Sequence, residues 1–154
     1  MFKNILVPID ITKESSWTSI FPFAIAQAEK FDSKLNVMTV LDLKFVKMMN
    51  LVQADFGINA YKFPKDFRDE YMGKIEKQLE ILMNERIPKN IETECFVREG
   101  KAYAEILTAA KELKADLIII KASHQSAIKE YVLGGNSSQV MRYAKCPVLI
   151  VRNA

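Results

Sequence analysis

The stretch that decides the fold reads DLIIIKASHQSAIKEYVLGGNSSQ and covers residues 116–139. Its first part, DLIII, is a run of β-forming residues that predicts a fully buried strand. The next part contains His124, the single histidine of the chain, and the adjacent glycines Gly134 and Gly135. It ends in small polar residues that suit the start of a helix. Taken alone, the segment fits a phosphate-binding loop and an ordinary strand-to-helix connection equally well.

On both sides of this stretch, the apolar positions alternate between the period of a strand and that of a helix. Strands are predicted at residues 2–8, 34–41, 91–99, 116–122 and 147–152, and helices at 15–30, 67–86, 103–113 and 137–144. Five strands joined by helical crossovers indicate an α/β fold, a three-layer sandwich with a parallel sheet and helices on both faces. The apolar runs 5–7 and 117–120 suit central strands, whereas 91–99 alternates like a strand nearer an edge.

Three parts of this pattern allow more than one structural interpretation. Ser15 or Ser16 is the expected N-cap of the first helix. Pro22 either kinks that helix or marks a later start, because its ring removes a backbone hydrogen bond. Residues 43–65 fit neither period cleanly, and we expect a partly helical excursion that covers a sheet edge or lies over a pocket. Tyr103 either walls a ligand pocket or belongs to the core, which is the more frequent place for an aromatic residue at helical spacing.

The composition is that of an ordinary globular protein. The chain has 154 residues, 49% of them hydrophobic and 27% charged, which predicts one domain over residues 1–154. The net charge of +3 is scattered without a basic stripe, so a nucleic-acid partner is not expected. Cys95 and Cys146 lie in apolar contexts without a CxxC motif, which favours reduced thiols and a cytoplasmic location. We expect neither a signal peptide nor a membrane span.

The candidate site residues lie where predicted strands end. Ligands of open parallel sheets bind beyond the carboxyl ends of the strands, where the strand order reverses. This rule singles out the segments after Pro8, Val40, Glu99 and Lys121. Just past the first strand, the carboxylate of Asp10 either accepts hydrogen bonds from a ribose or an adenine, or caps the next helix.

Few residues point to chemistry beyond binding. The glycines at 134–135 let the backbone approach a phosphate, and the helix after them offers free N–H groups. His124 and Ser123 have no sequence-evident partner for acid–base or nucleophilic chemistry, so we assign no catalytic residue. Lys121 fits either a phosphate contact or a solvated strand end. The sequence contains no P-loop, nucleophile elbow, HExxH or CxxC spacing, so we assign no metal ligand either.

Several segments together resemble the universal stress protein family. They are ILVPID at 5–10, VMTVLD at 37–42, the glycine at 100, ASH…VLGGNSS within 122–138, and CPVLIVR at 146–152. The resemblance covers essentially the whole chain, and the combination is specific although each segment is not. It implies the sheet order 3-2-1-4-5 of the adenine nucleotide alpha hydrolase-like folds.

The phosphate loop departs from the strict motif of ATP-binding family members, which reads Gly, two residues, Gly, nine residues, then Gly and Ser or Thr. Ala122 and Gln125 replace the two early glycines, the spacer is shorter by one residue, and Gly135 stands where Ser or Thr is usual. The pattern Ala-Ser-His, a shortened spacer and Tyr-Val-Leu-Gly before Asn136 is similar instead to the F-type and G-type branch. That branch resembles the others in binding adenine nucleotides.

The resemblance therefore implies an adenine-nucleotide site for ATP or AMP, and the sequence leaves open whether Mg²⁺ accompanies the phosphates. By carry-over, Asp10 and the Val40 backbone would hold the adenosine, and Pro8 and Ile9 would shape the adenine floor. Ala122, Ser123 and His124 would line the ribose and phosphates. The phosphates would also be held by Gly134, Gly135, Asn136, Ser137 and Ser138. Either Ser137 compensates for the hydroxyl that Gly135 lacks, or the affinity falls.

The resemblance also implies a homodimer, because family members commonly pair through the last strand. Val148–Val151 is apolar, and an exposed apolar edge strand is a liability unless it is paired. The implied function is a stress-response protein that binds an adenine nucleotide in a regulatory or protective role, with little or no turnover. Two alternatives stay open: a nucleotide-free dimeric interaction protein, and a slow ATPase or autophosphorylating enzyme.

Overall fold

The computed structural model describes residues 1–42, 65–122 and 135–152, so most of the excursion expected at 43–65 lies outside the described residues. The elements are β1 (Asn4–Pro8), α1 (Glu14–Phe31), β2 (Lys34–Leu41), α2 (Lys65–Arg86), β3 (Thr93–Glu99), α3 (Ala102–Glu112), β4 (Leu117–Lys121), α4 (Gly135–Tyr143) and β5 (Val148–Val151). The alternation of strands and helices is confirmed, and the ends of the elements differ from the predicted ends by a few residues.

The five strands form one parallel sheet in the order β3-β2-β1-β4-β5. This confirms the three-layer α/β fold and the order 3-2-1-4-5. In the centre, Ile5 of β1 pairs with Leu35 of β2 on one side and with Leu117 of β4 on the other. The strand order reverses between β1 and β4, so the chain leaves the carboxyl ends of these two strands toward different faces and opens a crevice there.

Alternate residues of the strands supply two separate cores, one on each face of the sheet. On the first face, Val7 and Ile119 pack with apolar residues of α1 and α2 such as Ile20 and Leu79. The second face buries the other strand residues against α3 and α4, which contribute Ile106, Ala109 and Val140. The helices therefore cover both faces, as the alternation predicted.

The start of α1 differs from the prediction. Its N-cap is Lys13, which has extended backbone and makes no side-chain capping bond, so the expectation of Ser15 or Ser16 is wrong. The physical reason is a turn after β1, in which the carbonyl of Asp10 accepts the Lys13 N–H at 3.0 Å and starts the helix before the serines. The helix continues through the exposed Pro22, so a late start at this proline is also wrong.

None of the helices in the described ranges combines the length and apolar character needed to cross a membrane.

Candidate functional site

A cleft of about 530 Å³ lies at the carboxyl edge of the sheet, in the crevice between β1 and β4. The ends of β1, β2 and β4, the first turns of α1, α3 and α4, and the residues beside them form its walls. Its lining consists of Pro8, Ile9, Asp10, Lys13, Ser15, Ser16, Val40, Ala102, Ile106, Ile120, Lys121, Ala122, Gly135, Asn136 and Ser137. The location agrees with the rule that ligands of open sheets bind where the strand order reverses.

The structure brings most of the predicted site residues together in this one cleft. They are Pro8, Ile9, Asp10, Val40, Ala122, Gly135, Asn136 and Ser137. Ser138 is half-buried on α4 and does not belong to the lining. Ser123, His124 and Gly134 lie outside the described residues, so a ligand contact by these three stays a prediction.

The wall formed by the β1–α1 turn is held by the Asp10 carboxylate. Oδ1 of Asp10 accepts the backbone N–H of Thr12 at 3.0 Å and the Thr12 hydroxyl at 2.6 Å. The N–H of Asp10 donates to Oγ of Ser16 at 2.8 Å, which ties the turn to the helix. Oδ2 lies 3.7 Å from Nζ of Lys13, and 47% of the side chain is exposed. One oxygen therefore stabilises the turn, while the other faces a cation at the cleft.

The opposite wall is the N-terminus of α4. Gly135 and Asn136 are exposed there, whereas Ser137 is buried. The first N–H groups of a helix have no partner within the helix, and the helix dipole places partial positive charge at this end. An anionic group therefore suits this wall of the cleft.

Gly135 leaves room for the hydroxyl that the strict motif would carry. A Cβ added to this glycine would meet no other atom of the described chain within 4 Å, and its backbone is helical. Crowding by the described residues therefore does not explain why a glycine stands here instead of Ser or Thr. The missing hydroxyl is a feature of this sequence and can be restored by substitution.

Sequence reasoning did not assign several lining residues to the site. Lys13 follows Asp10 closely, and this proximity was the one available signal. Ile106 lies on the apolar face of the helix predicted at 103–113 and is also buried in the core, and Ala102 lies one turn before it, so their place in the sequence did not mark either as a site residue. Tyr103 packs against that core and is absent from the lining, so its assignment to the core is confirmed.

Neither thiol is activated, and the described residues do not form a metal site. Burial raises the pKa of Cys95, as do the nearby carboxylates of Glu80 and Glu76, and burial likewise raises the pKa of Cys146. Both thiols therefore stay protonated at neutral pH. Among the described residues, His, Cys, Asp and Glu form no cluster of three or more that could hold a metal ion.

Comparisons with known proteins agree on one family. The model of the universal stress protein family matches residues 1–152. A Staphylococcus aureus (strain USA300) protein that carries a universal stress protein name is 28% identical over 151 residues, which span 98% of this chain and 84% of that protein.

Two solved structures show the fold. Hypothetical protein MJ0577 has a TM-score of 0.68 and 20% identity, with 100% of this chain and 98% of that chain covered. A universal stress protein in complex with cAMP has a TM-score of 0.61 and 19% identity, with 99% of this chain and 98% of that chain covered.

Proposed function

The chain belongs to the universal stress protein family, and we propose that it binds an adenine nucleotide, ATP or AMP, in a regulatory or protective role. The observation that carries this proposal is the cleft, which joins the ends of three strands to the N-terminus of α4. Its volume of about 530 Å³ falls within the range of small-molecule sites. The complex of a structural neighbour with cAMP supports an adenine nucleotide as the ligand class.

The chemistry of the cleft walls suggests how the nucleotide lies. The buried Pro8 and Ile9 and the half-buried Val40 offer an apolar surface to the adenine ring. Asp10 is close enough to this surface to accept hydrogen bonds from the adenosine. The phosphates would then meet the first turn of α4, where Asn136 and Ser137 add polar side chains to the positive end of the helix dipole.

The proposed role involves little or no turnover. Within the described lining, Asp10 is the one carboxylate, and Thr12 and Lys13 already engage it. This arrangement supports binding more than activation of a water molecule, which needs a free general base. A divalent cation such as Mg²⁺ would be held through the phosphates. A phosphate-release assay with ATP and Mg²⁺ separates a binding protein from the alternative of a slow ATPase.

Equilibrium dialysis of the purified chain against ATP, and separately against AMP, tests the proposal. We expect saturable binding of at least one of the two below millimolar concentration. Absence of binding at millimolar ATP and AMP would overturn the proposal. Denaturing the purified protein and recording the ultraviolet spectrum of the supernatant also shows whether an adenine compound co-purifies.

A substitution at Asn136 makes the test specific to the cleft. In Asn136→Glu, a negative charge enters the first turn of α4, where it repels phosphate while remaining favourable for the helix dipole. We expect ATP affinity to fall by about ten-fold or more. Asn136→Gln is the matched control, since it adds the same length without charge. Equal affinities of the two variants would argue against phosphate binding at this wall.

We also propose that the chain forms a homodimer through Val148–Val151. In the structure, β5 lies at the edge of the sheet and pairs with β4. Its residues are all apolar, which supports pairing with a second copy of the same strand. The same edge favours the second candidate function, a nucleotide-free dimeric interaction protein. A dimer that binds neither ATP nor AMP would favour that alternative.

A further inference from the structure

Lys121 is a charged residue at the end of an otherwise apolar strand. The sequence of β4 is LIIIK, and its first four residues are buried. Alternation along the strand places Lys121 on the same face as Leu117 and Ile119, which pack in the core beneath α1. The residue is half-buried and lines the cleft. A rigid central strand therefore holds an ammonium group at the cleft.

A hydrogen bond positions the ammonium group of Lys121, and no carboxylate of the described residues pairs with it. Its Nζ donates to the carbonyl oxygen of Ser15, in the first turn of α1, at 2.9 Å. The ion pairs found in the described parts of the chain do not include Lys121. An ammonium group has three N–H donors, and the contact with Ser15 uses one of them, so within residues 1–42, 65–122 and 135–152 two donors remain for a further acceptor. A neutral carbonyl fixes the direction of the side chain and leaves its charge intact.

The charge balance of the cleft points to an anionic ligand. The described lining contains two ammonium groups, those of Lys13 and Lys121, and the single carboxylate of Asp10. Lys13 lies 3.7 Å from that carboxylate, so these two charges largely offset each other. The charge of Lys121 is then in excess on one wall, and the N-terminus of α4 adds partial positive charge on the other.

We propose that Lys121 sets the ligand class of this cleft by binding phosphate oxygens, so that the cleft selects adenine nucleotides with a polyphosphate chain over AMP, cAMP and adenosine. This inference rests on the proposed nucleotide-binding function and names the ligand class of that site. A polyphosphate is longer and carries more negative charge than a monophosphate, so it should gain more from the positive groups of the cleft, and adenosine has no charge to contribute.

Titration calorimetry at fixed ionic strength, with ATP, AMP, cAMP and adenosine, tests the inference. We expect the wild-type chain to bind ATP most tightly. In Lys121→Met, which keeps the length of the side chain and removes its charge, ATP affinity should fall by about ten-fold. Adenosine affinity should change by less than about two-fold, because no charge contact is lost.

Two matched variants separate the local charge from the net charge. Lys121→Arg keeps a cation at the cleft and should retain most of the ATP affinity. Lys77→Met removes an exposed lysine from α2, far in sequence from the cleft residues, and should bind ATP like the wild-type chain. Circular dichroism establishes that each variant is folded, and Lys121→Gln replaces Lys121→Met if the latter does not fold.

The outcomes distinguish this inference from the function on which it rests. If Lys121→Met binds ATP as tightly as the wild-type chain does, or loses ATP and adenosine affinity equally, Lys121 does not select for phosphate. In either case nucleotide binding itself would stand. If the wild-type chain binds none of the four compounds at millimolar concentration, the proposed function and this inference fail together.

Discussion

The two edge strands of the sheet carry opposite kinds of residues. Along β3, Glu94 lies 2.7 Å from Nζ of Lys34, and Arg98 pairs with Glu112 and lies 4.0 Å from Glu105. In contrast, β5 reads VLIV, and none of its four residues carries a charge. Both strands are edge strands of the same sheet, so the difference lies in their side chains and not in the fold.

This difference indicates which edge accepts another strand. A strand added beside β3 would bury charged groups that are now solvated or paired, which is costly. A strand added beside β5 would bury apolar side chains that are now half-exposed, which is favourable. Within the part of the chain that the structure describes, charged groups therefore protect the β3 edge, whereas the β5 edge suits pairing.

The backbone of β5 shows which residue to change. The carbonyl oxygen of Pro147, just before β5, accepts the N–H of Ile118 in β4 at 3.0 Å, and that of Val151 accepts the N–H of Ala122, just after β4, at 2.8 Å. In a parallel pair, alternate residues face the neighbouring strand, so Leu149 also faces β4 while Val148 and Ile150 turn their N–H and C=O groups outward. A proline at 150 thus removes an outward N–H without breaking the pairing with β4.

The largest expected effect is the loss of the proposed dimer in Ile150→Pro. We expect the dimer dissociation constant to rise by roughly 100-fold, because each copy loses a pairing hydrogen bond and the proline ring obstructs the edge. Sedimentation velocity over a range of concentrations measures it. Ile150→Ala is the control, since it removes the same packing but keeps the N–H. An Ile150→Pro variant that remains dimeric would place the interface elsewhere.

The next largest effect is expected at Gly100, which directly follows the edge strand β3. Its φ of 142° is a conformation that residues with a side chain rarely adopt, and an added Cβ would lie 3.0 Å from Oε1 of Glu105. We expect Gly100→Ala to lower the free energy of unfolding by about 1–3 kcal/mol. Urea denaturation measures this change.

Gly73 provides the matched control for that substitution. It lies within α2, has no positive φ, and a Cβ there would meet no atom of the described chain within 4 Å. Gly73→Ala should therefore raise the free energy of unfolding by up to about 1 kcal/mol. Equal effects of the two alanines would mean that the turn after β3 does not require glycine.

A smaller effect is expected when a charge is removed from the β3 edge. Glu94→Val removes a charge from this edge and leaves Lys34 with Glu92, at 3.5 Å. The free energy of unfolding should change by less than about 1 kcal/mol, since exposed ion pairs contribute little. Self-association by light scattering should begin at a lower protein concentration than in the wild-type chain. As a control, Glu85→Val adds the same apolar group to the exposed face of α2, and it should not promote pairing to the same extent.

The smallest effect is a pH dependence from the Arg98–Glu112 pair. A hydrogen bond from Arg98 lowers the pKa of Glu112 below its ordinary value of 4.5. The stabilisation is therefore present above pH 4.5 and is lost as the pH falls through the lower pKa of the folded state. The melting temperature of Glu112→Gln should lie slightly below that of the wild-type chain at neutral pH, and this difference should disappear on acidification. A difference in melting temperature that does not depend on pH would show that the pair does not stabilise the fold.

The sequence predicted the layers of this fold well because the signal for them is local. The apolar run at 5–7 marked a central strand, and the alternation at 91–99 marked an edge strand, as the sheet order confirms. The predicted N-cap of α1 was wrong because hydrogen bonds between Asp10, Thr12 and Ser16 form a turn that helix propensity does not encode. Predicted site residues near strand ends converge because parallel strands end at one edge of the sheet.

By itself, then, the sequence determined the order of the elements and the two-sided core, since each depends on the spacing of residues within one segment. Only the tertiary structure decided the chemistry of the cleft. The ammonium group of Lys121 meets the carbonyl of Ser15 across 106 residues of chain, and Ile106 borders the cleft because of how α3 packs on the sheet. Periodicity within a segment does not encode contacts of this kind, because they depend on where folding places distant segments.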